Sequence, residues 1–124
     1  MQIYYNKRLE EPVVLEQGNY KGYDYYIITL GTHPCCYVVL PKEHEYYKES
    51  CFDIPIECHY GLTYSESNLM DRLEEGKYWV IGWDYAHFGD YLSYYIALLD
   101  GDENGHKWTL DELRQEVYLV IEQL

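Results

Sequence analysis

The chain has 124 residues, the size of a single domain, and carries 22 acidic against 9 basic residues. Its formal net charge of −13 argues against direct binding to nucleic-acid phosphates or to anionic membranes. A binding partner is therefore expected to be basic, and the 17 tyrosines supply amphipathic side chains for a protein–protein contact. We expect residues 1–124 to form one domain.

The termini and the cysteines indicate the cellular compartment. The N-terminal residues MQIYYNKRLEEP lack the apolar run of a signal peptide, and no apolar stretch has the length of a membrane span. The spacing of Cys35, Cys36, Cys51 and Cys58 does not match a secreted disulfide scaffold, so reduced thiols are expected. These features predict a soluble protein in the cytoplasm.

The first predicted elements are short. Apolar runs at Met1–Tyr5 and Pro12–Leu15 predict an initial strand and a second short strand or edge segment, separated by a charged turn. Gln17-Gly18-Asn19 is a turn signal. The aromatic and β-branched run from Tyr23 to Gly31 then predicts a strong strand.

The next strand is predicted to be central. After a turn at Thr32-His33-Pro34, the continuous apolar run Cys35–Pro41 is typical of a strand buried on both faces. It is expected to form a hairpin with the strand before it. The polar segment Lys42–Asp53 predicts a loop or one short helical turn, with His44 near its start.

Two further strands are predicted before the C-terminal region. Ile54–Ser65 has strand character, with Glu57 and His59 on the same face, and an acidic connection follows at Glu66–Gly76. In the segment Lys77–Asp90, KYWVIGWDYAHFGD, the first half alternates like a buried strand. Its second half places ligand-capable side chains every three residues, at Asp84, His87 and Asp90.

The C-terminal helix is the clearest prediction. Residues 91–100 predict a short helix or strand, and residues 100–106 a turn-rich loop that lacks the ligand pattern of a calcium site. Thr109 and Glu112 have the spacing of a capping box. An apolar stripe then recurs at helical spacing, at Leu110, Leu113, Val117, Val120, Ile121 and Leu124. The fold class is therefore α+β: a mostly antiparallel sheet of about five strands with this helix packed on one face.

The residue types favour a metal site. Three imidazoles and one carboxylate suit tetrahedral zinc, and the candidates are His44, His59, Asp84 and His87, with Asp90 and Cys51 as replacements. An alternative reading is that these histidines are hydrogen-bonded, half-buried side chains and that Asp84 caps a turn. A competing set of ligands, Cys51, Cys58, His59 and His44, is weaker because neighbouring strand residues point to opposite faces. A nucleophilic Cys51–His44 pair has no supporting motif.

Residues 35–124 also resemble a family of small phage-encoded proteins. The resemblance rests on the segments that begin at His44 and His59, on Gly82–Asp90, and on the helix that starts at Trp108. Its most specific part is the pattern Asp-x-Ala-His-x-Gly-Asp, while Glu45 and Tyr60 depart from the usual Pro and Gly. Within this family the chain is similar to a zinc-containing anti-CRISPR protein of streptococcal phage that acts on a type II effector nuclease.

The resemblance implies a non-enzymatic inhibitor with a structural zinc ion, which binds a type II CRISPR effector nuclease and blocks target-DNA loading or binding. The acidic charge is compatible with occupying a basic nucleic-acid channel. The alternative is a small metal-dependent hydrolase or ligand-sequestering protein, in which Glu57 would be the general base beside the metal. No direct binding to nucleic acid or membrane is expected in either case.

Overall fold

Five antiparallel strands and one α-helix form the framework of the part of the chain that the structure describes. The computed structural model describes residues 11–29, 31, 33–87, 90 and 105–124. The strands are β1 (Val13–Tyr20), β2 (Tyr23–Thr29), β3 (Pro34–Pro41), β4 (Tyr64–Glu66) and β5 (Tyr78–Asp84), in the spatial order β1-β2-β3-β5-β4. A short 3-10 helix covers Cys51–Asp53, and helix α1 covers Leu110–Ile121. The α+β fold class is confirmed.

The sheet is buried on both faces in its centre. Helix α1 covers one face, where its buried residues Leu113 and Val117 pack with Ile27, Val38 and Ile81 of the sheet. The opposite face has a smaller cluster that the β4–β5 connection covers, made by Tyr26, Ile28, Val39, Leu69 and Val80. The predicted central strand and the alternation of β5 are confirmed, because Val80 and Ile81 lie in different clusters.

Helix α1 begins as the sequence predicts. The Glu112 N–H donates to Thr109 Oγ1 at 3.2 Å, and the Thr109 N–H donates to Glu112 Oε1 at 3.0 Å. This reciprocal capping box satisfies two backbone donors that the first helical turn leaves free. Four residues of the predicted stripe are buried: Leu113, Val117, Val120 and Ile121. None of the helices in the described ranges is long and apolar enough to cross a membrane.

The predicted turn at Gln17-Gly18-Asn19 is wrong. These residues belong to β1, and the chain reverses at Lys21-Gly22, where both residues have positive φ, 51° and 90°. That conformation is the two-residue hairpin turn favoured by strand twist. Gly18 instead makes room for its neighbour on β2, since a Cβ there would lie 2.7 Å from Tyr25 Oη.

The predicted strand Ile54–Ser65 is also wrong for most of its length. Only Tyr64 and Ser65 are in β4, and the preceding residues are irregular. Ile54 and Ile56 are buried in the core below helix α1, and the chain bends at Tyr60-Gly61, both with positive φ. The predictions for Met1–Tyr5, for residues 91–100 and for most of the loop at 100–106 lie outside the described residues.

Candidate functional site around Asp90

A buried carboxylate lies at the centre of the candidate site. Asp90 is 1% exposed and accepts hydrogen bonds from three different parts of the chain. His59 Nε2 lies 2.8 Å from both carboxylate oxygens, Trp108 Nε1 donates to Oδ1 at 2.8 Å, and the His87 N–H donates to Oδ2 at 3.0 Å. We call Asp90 and these three donors the Asp90 site. It joins the β3–β4 connection, the turn after β5 and the residue preceding the helix cap.

The imidazole of His59 is held in a defined orientation. Because the Asp90 carboxylate accepts from Nε2, that nitrogen carries the proton, and Nδ1 is left with a lone pair in the neutral ring. The ring stacks on Tyr85, with centroids 4.5 Å apart, and meets the edge of Trp108 at 5.2 Å. Its backbone N–H donates to Glu116 Oε1 of helix α1 at 2.8 Å. His59 is therefore fixed both by its side chain and by its backbone.

Asp84 and His87 form a second pair beside the Asp90 site. Asp84 Oδ1 accepts from the Ala86 N–H at 3.1 Å, and Oδ2 accepts from Thr63 Oγ1 at 3.3 Å. His87 Nε2 lies 3.0 Å from Asp84 Oδ1, but its approach is too oblique for a hydrogen bond. This buried nitrogen thus has no hydrogen-bond partner among the described residues, although the ring stacks on Tyr60 at 4.5 Å.

The structure does not bring His44 to this site. His44 follows Pro41, which pairs with Tyr78 at the start of β5, whereas Asp84 pairs with Cys35 at the other end of that strand. Six residues of extended strand separate these ends by about 20 Å. His44 instead lies edge-on to Tyr23, and its Nδ1 accepts from the Tyr46 N–H at 3.1 Å. Of the four predicted ligands, only His59, Asp84 and His87 lie at the same end of the sheet.

The other candidates from the sequence are separated as well. Cys51 is buried in the 3-10 helix, and its backbone N–H donates to Ser65 Oγ at 2.9 Å. Glu57 is exposed, and its backbone pairs with the Gln123 side chain at the end of helix α1. Because residues 54–61 do not form a strand, Glu57 and His59 do not share a strand face, and this prediction is wrong.

Burial makes the cysteines beside the site poor nucleophiles. Burial, together with the nearby Glu116 carboxylate, raises the pKa of Cys58 to about 12. Burial and the charge of Asp84 raise the pKa of Cys35 to about 12. Both groups are neutral thiols at pH 7, whereas attack on a substrate and zinc ligation use the thiolate. The four cysteines are free thiols, as predicted.

The sequence pattern predicts Asp90 only as a replacement ligand, and it predicts no role for Trp108 in the site. Asp90 ends the same short motif as Asp84 and His87, so its position three residues after His87 was the available signal. Trp108 directly precedes the helix cap Thr109, and a buried indole needs an acceptor. The stacking partners Tyr60 and Tyr85 were visible only as part of a general excess of tyrosine.

No family model, no curated protein and no solved structure matches this chain. Across the described ranges, no three His, Cys, Asp or Glu side chains are grouped so that they could hold one metal ion. The site therefore consists of an oriented imidazole on a buried carboxylate, with an Asp–His pair beside it.

Proposed function

We propose that this chain is a non-enzymatic inhibitor that binds the basic nucleic-acid-binding surface of a type II CRISPR effector nuclease and blocks the loading of target DNA. The observation that carries the proposal is a concentration of exposed negative charge. Residues 43–75 contain nine carboxylates and only Lys48 and Arg72 as bases, a formal net charge of −7. All nine are exposed, and we call them the acidic rim: Glu43, Glu45, Glu49, Asp53, Glu57, Glu66, Asp71, Glu74 and Glu75.

The acidic rim extends from the loop after β3 to the connection between β4 and β5. Ile54 and Ile56 anchor its first part in the core below helix α1, and Leu69 and Leu73 anchor its last part on the opposite face. Between these parts the chain forms β4, the edge strand. The rim therefore lies partly at the end of β3 and partly along the β4 edge, and the buried anchors fix its backbone on both faces of the sheet.

Few cations neutralise these charges. Among the described residues, the ion pair between Glu74 and Lys77, 3.1 Å apart, is the one that involves a rim carboxylate. The carboxylates outside the rim are more often paired, as Glu16 and Asp111 are with Arg114 and Glu122 is with Lys21. Unpaired surface carboxylates attract a basic partner over a distance and can replace phosphates in a positively charged channel.

Zinc binding is part of the same proposal and rests on fewer residues than the sequence predicts. The buried, unpartnered Nε2 of His87 beside Asp84 Oδ1 fits a pair of ligands. His59 is engaged by Asp90, and His44 is at the far end of the sheet. Asp84 and His87 would therefore hold the ion, which would supply a fixed link between the end of β5 and the turn after it.

The alternative of a small hydrolase draws support from one observation. The carboxylate of Asp90 orients His59 and leaves Nδ1 as a base, an arrangement that hydrolytic enzymes use for general-base catalysis. His59→Gln separates the two functions, because the glutamine amide can still donate to Asp90 but cannot accept a proton at neutral pH. We expect His59→Gln to inhibit the nuclease as the wild type does. Loss of inhibition in a folded His59→Gln protein would favour the hydrolase.

The proposal is tested with purified effector nuclease in complex with its guide RNA. We expect the wild-type protein to reduce DNA binding and cleavage, and to lose this effect as salt rises, because ions screen exposed charges. The variant Glu43→Gln/Glu45→Gln/Glu49→Gln should weaken inhibition at least about tenfold. Its matched control removes the same charge outside the rim, in Glu11→Gln/Asp24→Asn/Glu122→Gln, and should inhibit like the wild type. Equal inhibition by both variants, or none by the wild type, would contradict the proposal.

A further inference from the structure

A groove in two compartments lies on the face of the sheet opposite helix α1. The first compartment, about 200 Å³, is apolar, and Ile28, Leu69 and Met70 line it. The second, about 190 Å³, contains Thr63 and Asp84. The compartments adjoin, because both are also lined by Cys35, Tyr37 and Tyr64. The groove is thus apolar at one end and polar at the other.

The polar end offers hydrogen-bond acceptors. Thr63 Oγ1 donates its proton to Asp84 Oδ2 at 3.3 Å, so the hydroxyl has only lone pairs left for a ligand. The hydroxyl of Tyr64 donates to the carbonyl oxygen of Asn68 at 2.8 Å, so this hydroxyl can also only accept a hydrogen bond from a ligand. Asp84 itself is an acceptor. A ligand at this end must therefore bring donors.

The charge of the groove is negative. None of the described residues that line either compartment is Lys, Arg or His. Asp84 Oδ1 accepts from the Ala86 N–H and lies beside His87 Nε2, whereas Oδ2 is contacted by Thr63, which lines the polar compartment together with Asp84. An anionic ligand would meet only repulsion here, whereas an ammonium group carries three donors and the complementary charge.

The remaining walls suit the rest of such a molecule. The rings of Tyr37 and Tyr64 meet edge to face, with centroids 5.0 Å apart, where the two compartments adjoin. Tyrosine ring faces attract cations, so the passage between compartments adds to the preference for positive charge. Beyond it, burial of an alkyl or aryl group against Ile28 and Leu69 removes apolar surface from water.

We infer that this groove binds a small primary amine with an apolar body. The ammonium group lies against Asp84 and Thr63, and the apolar body lies among Ile28, Leu69 and Met70. The inference does not rest on the acidic rim, because neither the rim carboxylates nor the donors of the Asp90 site line the groove. Asp84 is shared with the proposed zinc pair: its Oδ1 lies beside His87 Nε2, whereas Thr63 contacts its Oδ2. His87→Ala, which removes the zinc pair and leaves the groove residues intact, separates the two and should still bind the amine.

The chemical class is tested with three probes of one chain length: hexylamine, hexanol and hexanoate. Isothermal titration calorimetry on the full chain at pH 7 should show hexylamine binding at least about tenfold more tightly than hexanol, since the charge-assisted contact is lost in the alcohol. Hexanoate should not bind. Equal binding of hexylamine and hexanol, or no heat from hexylamine at millimolar concentration, would overturn the inference.

Two matched pairs of variants place the amine in the groove. Cys35→Leu fills the space that the compartments share and should abolish binding, while Cys35→Ser keeps the volume and should bind as the wild type does. Asp84→Asn should weaken the binding of hexylamine at least about tenfold. Glu66→Gln removes the same charge from an exposed position and should have no effect. Unchanged binding to folded Cys35→Leu would show that the amine binds elsewhere.

Thiol protection gives a result even if Cys35→Leu fails to fold. Cys35 lines the groove, whereas Cys58 packs against the core on the helix side of the sheet. Both thiols react slowly with a thiol-specific methanethiosulfonate at pH 7, because burial keeps them neutral, so the reaction is followed until both rates are measured. In the wild-type protein, hexylamine at saturation should slow the reaction of Cys35 further, at least about tenfold, because bound ligand blocks access to the sulfur. It should leave the rate at Cys58 unchanged. Equal rates at Cys35 with and without hexylamine would overturn the inference.

Discussion

Asp90 and the residues of the acidic rim all carry a carboxylate, but Asp90 is buried and the rim residues are exposed to solvent. Asp90 is 1% exposed and accepts bonds from an imidazole, an indole and a backbone amide. Every rim carboxylate is exposed, and few have a cationic partner among the described residues. A buried carboxylate can remain only where donors replace the water that it has lost. An exposed one keeps its water and remains available to a partner.

This difference separates stability from binding. Removal of Asp90 leaves three donors from distant segments without an acceptor, so the free energy of unfolding should decrease. Removal of a rim carboxylate leaves no buried group without a hydrogen bond, so it should lower the affinity for a basic partner and not the stability of the fold. Substitution of Asp90 should therefore change the free energy of unfolding far more than substitution of rim carboxylates.

Asp90→Ala should have the largest effect, lowering the free energy of unfolding by about 4 kcal/mol. The buried side chains of His59 and Trp108 and the His87 N–H lose their common acceptor. Urea unfolding followed by circular dichroism measures the change, with Asp71→Ala in the acidic rim as the control. A loss below about 1 kcal/mol would mean that water replaces Asp90 and that the site is less buried than described.

Leu113→Ala should lower the free energy of unfolding by about 3 kcal/mol, through lost burial and a residual cavity. Leu113 has no exposed surface, and its helix carries Glu116, which binds the backbone of His59. The exposed Leu119 on the same helix is the matched control, and Leu119→Ala should change stability by less than about 0.5 kcal/mol. Equal effects of the two substitutions would contradict the packing of helix α1.

Zinc content tests the Asp84–His87 pair. Protein purified without a His tag should contain about one equivalent of zinc by elemental analysis. His87→Ala should lose the ion and melt at a lower temperature, because zinc bound to the folded state stabilises it. His44→Ala is the matched control and should keep the ion, since His44 lies at the other end of the sheet. Zinc well below one equivalent in the wild type would end the zinc proposal.

The loss of stability at acid pH depends in part on Glu16. Hydrogen bonds from the Arg114 guanidinium hold the pKa of Glu16 below its usual value of 4.5. Because the folded pKa lies below the unfolded one, this pair stabilises the fold fully above about pH 4.5, and its contribution is lost as the pH falls through the folded pKa. Glu16→Gln should therefore flatten the loss of stability between pH 5 and the folded pKa, about 1 kcal/mol at most. If Glu16→Gln leaves the pH dependence of the free energy of unfolding unchanged, the ion pair between Glu16 and Arg114 is not formed in solution.

The acidic rim should have the smallest effect on stability. Glu43→Gln/Glu45→Gln/Glu49→Gln should change the free energy of unfolding by less than about 0.5 kcal/mol, since these side chains are exposed and have no ion pair among the described residues. A small gain is expected at low salt, because self-repulsion decreases. A loss above about 1 kcal/mol would show that the rim contributes to folding and would remove the contrast with Asp90.

The elements that the sequence predicted well have a local physical cause. The capping box at Thr109 and Glu112 lies within one turn, and the alternation of Val80 and Ile81 follows from the pleat of a single strand. The hairpin of β2 and β3 was predicted because both strands are apolar and adjacent in sequence. In each case the relevant partner is a few residues away, or the pattern alone shows which face is buried.

The errors occurred where a distant contact outweighs the local pattern. Gly18 has the sequence of a turn residue but provides space for Tyr25 on the neighbouring strand. Ile54 and Ile56 alternate like strand residues, yet both are buried in one core because the chain is irregular there. For the same reason Glu57 and His59 do not share a strand face.

The sequence by itself determined the negative charge, the antiparallel α+β architecture, the helix cap and the presence of ligand-capable residues at Asp84, His87 and Asp90. Only the tertiary structure decided which of these residues meet. The register of β3 with β5 places His44 and Asp84 at opposite ends of the sheet. The bend at Tyr60-Gly61 and the docking of helix α1 bring His59 and Trp108 to Asp90. Such contacts depend on strand register and on burial across the whole chain, which no local spacing of residues encodes.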